Sequence, residues 1–139
     1  MIIDGKNQIL GRLASFAAKQ ALLGKKVNVI NCEDVIISGR KNIVFEKYKK
    51  IDDMGIQPRK GPFQPKMPDR FVRKVIKRML PIDRTRGLDA FHNVMCYIGT
   101  PDEFKNMEIT NVNANASKLS TLNMVRVGEI CKELGGKKW

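Results

Sequence analysis

The chain has 139 residues, 42% of them hydrophobic and 29% charged, a balance that suits one ordinary folded domain with its own core rather than a disordered polymer. Lys and Arg number 26 against 14 Asp and Glu, a net charge of +12, so a polyanion leads the candidate partners, nucleic acid ahead of anionic membrane. Three widely spaced cysteines (Cys32, Cys96, Cys131) and a single histidine argue against a zinc site, and no apolar run approaches the roughly 20 residues that span a bilayer. The opening "MIIDGKNQILGRL" shows no basic region ahead of a long apolar stretch, so no signal peptide is visible and a soluble, cytoplasmic protein with reduced thiols is expected.

Taken in chain order, "MIID" predicts a short strand closed by an Asp4-Gly5 turn. Leu10, Leu13, Ala14, Ala17, Ala18, Ala21 and Leu22 then recur at helical spacing, with Gly24 placed to end the helix. "VNVIN" predicts a second strand, which makes the opening a βαβ unit with a right-handed parallel crossover. "DVIISG" is a further short apolar run, and "KNIVFEKYKKI" predicts an amphipathic helix resting on Ile43, Val44, Tyr48 and Ile51. From Asp52 to Asp69 the character changes: "GIQPRKGPFQPKMP" holds four prolines and two glycines, so residues 52–69 read as an extended basic loop.

A helix follows, with Pro68 and Asp69 suited to its first turn and Pro81 to its stop. After a basic turn, "LDAFHNV" predicts one or two helical turns and "VMCYIG" a buried strand. The tail predicts a terminal helix from about Glu129 to Leu134, closed by Gly135-Gly136. The alternating pattern argues α/β.

Catalytic chemistry finds little support. A phosphate loop needs G-x4-G-K-[ST], whereas Gly5 and Gly11 have five residues between them and Arg12-Leu13 stand where Lys and a hydroxyl residue belong. The G-x-G-x-x-G fingerprint is also absent. His92 sits on a predicted helix without an evident nucleophile and reads as a partly buried structural residue, Asp52-Asp53 as turn formers, and the cysteines as core thiols.

The basic segment is different. Between Arg59 and Arg86 stand Arg59, Lys60, Lys66, Arg70, Arg73, Lys74, Lys77, Arg78, Arg84 and Arg86, against only Asp69 and Asp83. Such clustering is the footprint of phosphate binding. On a helical wheel Phe71, Val72, Val75, Ile76, Met79 and Leu80 share one half, and Arg70, Arg73, Lys74, Lys77 and Arg78 the other. A basic amphipathic helix also marks a membrane-surface module, but this one is about three turns long and its apolar side is needed to cover a small sheet. No helix-turn-helix, zinc finger or aromatic-rich single-strand module is apparent.

Three blocks, "IIDGKNQILGRLAS", "VINCEDVIISGRK" and "KRMLPIDRTRGLDAFHNVMCYIG", give the chain its resemblance to the large-subunit ribosomal protein thirteen family along nearly its whole length. The last block carries Met79-Leu80-Pro81, five residues, Gly87 and a strand ending Tyr97-Ile98-Gly99 at the family's spacing, and "GPFQPKMPDR" resembles the archaeal and eukaryotic branch. Arg78 stands where the family often has Gly, and Cys96 where it usually has an aliphatic residue.

The resemblance implies a three-layer α/β/α sandwich around a small, mainly parallel sheet, Rossmann-like but without a nucleotide site, in one domain spanning 1–139. It also implies a non-enzymatic constituent of the large ribosomal subunit that contacts rRNA and neighbouring ribosomal proteins, acts early in assembly and needs no cofactor, metal, membrane or small-molecule substrate. The RNA-binding set is then the ten cations above, with Arg12, Arg40 and Lys41 as a secondary group. Met79 and Leu80 are expected to pack inward, and Gly87 to permit a bend. A small nucleotide-binding α/β enzyme and a membrane-surface module are the rivals.

Overall fold

A computed structural model describes residues 1–54, 61–105 and 107–136. Strand β1 (Ile2–Asp4), helix α1 (Leu10–Leu22) and strand β2 (Val27–Ile30) form the expected unit, with β1 and β2 parallel and Ile3 opposite Val29. Gly24 ends α1 at φ +84°, a left-handed conformation that a side chain would oppose. Strand β3 (Ile36–Ser38) and helix α2 (Lys41–Asp53) follow, then helix α3 (Pro68–Arg78) and helix α4 (Thr85–His92). Strand β4 (Val94–Cys96), strand β5 (Ile109–Thr110), strand β6 (Met124–Arg126) and helix α5 (Val127–Glu133) complete the order.

The four strands β4-β2-β1-β5 make one parallel sheet. Strand alternation divides its side chains. Ile3, Val27, Val29, Val94 and Cys96 face a core shared with Leu13, Ala14 and Ala17 of α1, Phe71, Val72 and Ile76 of α3, and Ala90 of α4. Ile2 and Ile30 face the other way, under Phe104 and Tyr97, whose rings lie 5.3 Å apart. The chain thus adopts the expected three-layer α/β arrangement, with unequal outer layers: packed helices on one face, and on the other Tyr97 and the short 3-10 turn at Asp102–Phe104. The "DVIISG" run does not join this sheet. β3 instead pairs antiparallel with β6 in a separate two-stranded ribbon, where Ile37 lies opposite Val125.

Three expectations change in detail. Ile43 does not rest on the core: it is 61% exposed, because α2 turns Val44, Phe45 and Tyr48 inward. Asp52 and Asp53, expected in the loop, instead end α2, while Pro68 and Asp69 stand in the first turn of α3 as their residue types predict. Helix α3 ends at Arg78 rather than running to Pro81, because its last turn tightens: the Met79 N–H donates to Ile76 O at 3.0 Å and the Leu80 N–H to Lys77 O at 3.1 Å.

Candidate nucleic-acid interface

Helix α3 is built to be held from one side. Pro68 occupies its first turn, where a missing N–H costs nothing, and Asp69 complements the positive helix start. Phe71, Val72, Ile76 and the following Leu80 are buried, each stabilising the fold by about 1.5–3 kcal/mol relative to exposure. The ring of Phe71 meets that of Tyr48 edge-on at 5.0 Å. Met79 does not pack inward as expected. It is 41% exposed, and its sulfur accepts a hydrogen bond from Ser15 Oγ of α1 at 3.5 Å.

The opposite face divides into cations that point outward and cations with internal tasks. Arg70, Lys77 and Arg78 are exposed, and among the described residues none has an ion-pair partner. Arg70 and Lys77 stand two turns apart, about 10 Å along the axis. Arg73 and Lys74 are only half exposed. The Arg73 guanidinium lies 4.6 Å from the Phe91 ring centre, with the Lys77 ammonium at 5.5 Å, so Phe91 of α4 steers both by cation–π attraction. Lys74 donates to the carbonyl oxygen of Phe63 and, at 3.1 Å, to Gln64 Oε1. It therefore pins the segment leading into α3, and burial, with Arg78 nearby, holds its pKa below the ordinary lysine value.

Beyond the helix the chain turns sharply. The Arg84 N–H donates to Pro81 O at 3.1 Å, and a Cβ on Gly87 would fall 1.9 Å from that same oxygen. Gly87 is thus required for close backbone approach rather than for the bend itself. Arg84 and Arg86 are exposed on this turn, and Arg12 is exposed on α1, which also supplies Ser15 to Met79. Of the secondary set only Arg12 gathers here; Arg40 and Lys41 lie at the start of α2. Lys41 is engaged by Glu133 at 3.1 Å and Glu129 at 3.3 Å, which raise its pKa, and Arg40 precedes it at the N-cap position of α2, where its side chain makes no capping hydrogen bond. Lys66 pairs with Asp52 at 3.4 Å, and Arg59 and Lys60 lie outside the described residues.

Between the end of α3 and the turn lies a cavity of about 470 Å³, lined by Lys74, Lys77, Arg78, Leu80, Ile82 and Asp83. In the sequence Asp83 is only one of two acids among ten cations, and Phe91 stands outside the basic segment. The spacing of Leu80 and Ile82 about Pro81, with Asp83 next, is the signal that points to an apolar floor beside a carboxylate.

Away from this face, His92 is exposed rather than partly buried, and among the described residues no His, Cys, Asp or Glu group is arranged to hold a metal. Cys32, Cys96 and Cys131 are all buried free thiols. No helix of the described residues is long and apolar enough to cross a membrane.

Residues 1–103 match the family model described as ribosomal protein L13. Over 137 residues the chain is 39% identical to the large ribosomal subunit protein uL13 of Methanococcoides burtonii, covering 98% of both chains. It is 44% identical to the uL13 of Methanopyrus kandleri, over 96% of this chain and 86% of that one, and 38% identical to the uL13 of Haloarcula marismortui, over 99% and 92%. A family match across most of the chain, and archaeal relatives aligned nearly end to end, establish that this chain belongs to the ribosomal protein L13 family.

Proposed function

We propose that the chain is a non-catalytic structural constituent of the large ribosomal subunit, holding rRNA through the outward face of α3, the turn after it and the adjoining face of α1, and that it joins the subunit early in assembly. The observation that carries this reading is the division of labour on α3. Arg70, Lys77 and Arg78 project without a carboxylate partner among the described residues, while the other side of the same helix is locked into the core. Unpaired cations on a rigid support are what phosphate binding requires, since each one that meets a phosphate releases condensed counterions. Arg84, Arg86 and Arg12 extend the surface beyond the helix, and neighbouring ribosomal proteins complete the setting in which it is held.

A membrane-surface role fits the same composition poorly. Insertion would need the apolar side of α3, and Phe71, Val72 and Ile76 are 1%, 0% and 0% exposed. The reading is tested by titrating the chain against rRNA fragments at several salt concentrations. If six phosphates are engaged, affinity falls on the order of 10³-fold between about 50 and about 200 mM salt. Binding that ignores salt would contradict a phosphate-held complex.

A further inference from the structure

We propose that the cavity at the end of α3 receives one unstacked nucleobase of the bound RNA and that Asp83 reads its edge, with guanine the base that fits. This rests on the reading of the surrounding surface as RNA-binding. The cavity is about 470 Å³, within the range of pockets that hold small ligands. Its floor is apolar, formed by buried Leu80 and half-buried Ile82 on either side of Pro81, and suits the flat face of a base. Its rim is cationic: Lys77 and Arg78 stand where the phosphates flanking a turned-out nucleotide would pass, and Lys74 forms a wall, its ammonium being tied to Phe63 and Gln64.

Asp83 is the residue that makes the cavity selective. It is exposed, lines the cavity, and has no hydrogen-bond or ion-pair partner among the described residues, although two exposed cations line the same space. A carboxylate on a phosphate-binding surface repels the backbone, so its favourable partner is a donor. An ionised carboxylate only accepts hydrogen bonds. Guanine presents two adjacent donors, N1–H and N2–H, that match its two oxygens. Adenine and cytosine place a ring acceptor beside their amino group, and uracil flanks its single N–H with carbonyls. The turn is also set in advance, because Gly87 packs directly on the Pro81 carbonyl and fixes the floor. A preformed site of this kind recognises an unpaired base, the usual target of sequence-specific RNA recognition.

The full chain is titrated by fluorescence anisotropy at low salt with octaribonucleotides of uridine that carry one central G, A or C, or none. The expected result is about tenfold tighter binding of the guanine oligomer than of the all-uridine one. Asp83→Asn, which replaces one acceptor by a donor and removes the charge that repels phosphate, should abolish that preference while the all-uridine oligomer binds at least as tightly as before. Equal binding of all four oligomers, untouched by Asp83→Asn, would overturn the base pocket and leave the phosphate surface standing. No binding of any oligomer would overturn both. Free guanosine monophosphate bound as tightly as the oligomer, or an oligoglutamate peptide that displaces it from the wild-type chain at equal concentration, would overturn the assignment to an RNA base.

Discussion

The α-carbon of Gly87 faces the carbonyl of Pro81 so closely that an added Cβ would sit 1.9 Å from its oxygen and 2.4 Å from its carbon. Both obstacles are backbone atoms, and the oxygen already accepts the Arg84 N–H, so neither can step aside without reshaping the turn. This contact gives the Met-Leu-Pro to Gly spacing a physical meaning. It joins the end of α3 to the start of α4 and aims Arg84 and Arg86.

Gly87→Ala should therefore destabilise the fold by about 3 kcal/mol, as overpacking against unyielding atoms does. Gly11→Ala is the control. It meets nothing within 4 Å on the exposed side of α1, and should be neutral or stabilise by about 0.5–1 kcal/mol through helix propensity. Urea unfolding of the two variants, with unchanged slopes, checks both.

The internal tasks of Arg73 and Lys74 set them apart from the outward cations of the same helix, so stability and the proposed RNA binding can be tested separately. Lys74→Ala removes the donor that holds Phe63 and Gln64. It should loosen residues 61–67, seen as faster amide exchange or proteolysis there, and leave the rest of the core protected. Arg70→Ala should leave exchange unchanged and weaken RNA binding alike for all sequences. Equal loosening by both variants would show that Lys74 has no special hold on the segment.

Much of this was legible in the sequence, for definite reasons. Helix α1 appears at its expected bounds because its alanine and leucine spacing is unbroken and Gly24 supplies the left-handed stop. Strands β5 and β6 were missed: they are two and three residues long, Ile109 is 53% and Met124 44% exposed, and neither makes an alternating pattern. The charge of α3 was plain, but the wheel could not tell Lys77 from Lys74. Which cation faces outward depends on Phe91 and the segment at Phe63, both distant in sequence.

The buried thiols set an alkaline limit on stability. Burial, with Asp69 nearby, pushes the Cys131 thiol from 9.0 up to about 12, and the hydrogen bond with Cys96, followed by burial, raises Cys32 well above 9.0. The folded state keeps these protons while the unfolded chain releases them. Their stabilising contribution is thus complete below pH 9 and is lost progressively as pH rises toward 12. Melting temperature should fall across that window, with Tyr48, also raised by burial, adding to the decline. Cys131→Ala should flatten part of the slope relative to its own value at pH 8. An identical slope would show that Cys131 takes no part.

The central claim is that α3 presents Arg70, Lys77 and Arg78 to rRNA while its other side holds the fold. The direct measurement is gradient sedimentation of cell lysate containing the tagged chain or its Arg70→Glu, Lys77→Glu, Arg78→Glu variant, with the melting temperature of each purified chain recorded alongside. The account expects the wild-type chain in the large-subunit fractions, and the triple variant near the top of the gradient with its folding intact, because all three side chains lie on the exposed side. A folded variant that travels with large subunits as well as the wild type would contradict it.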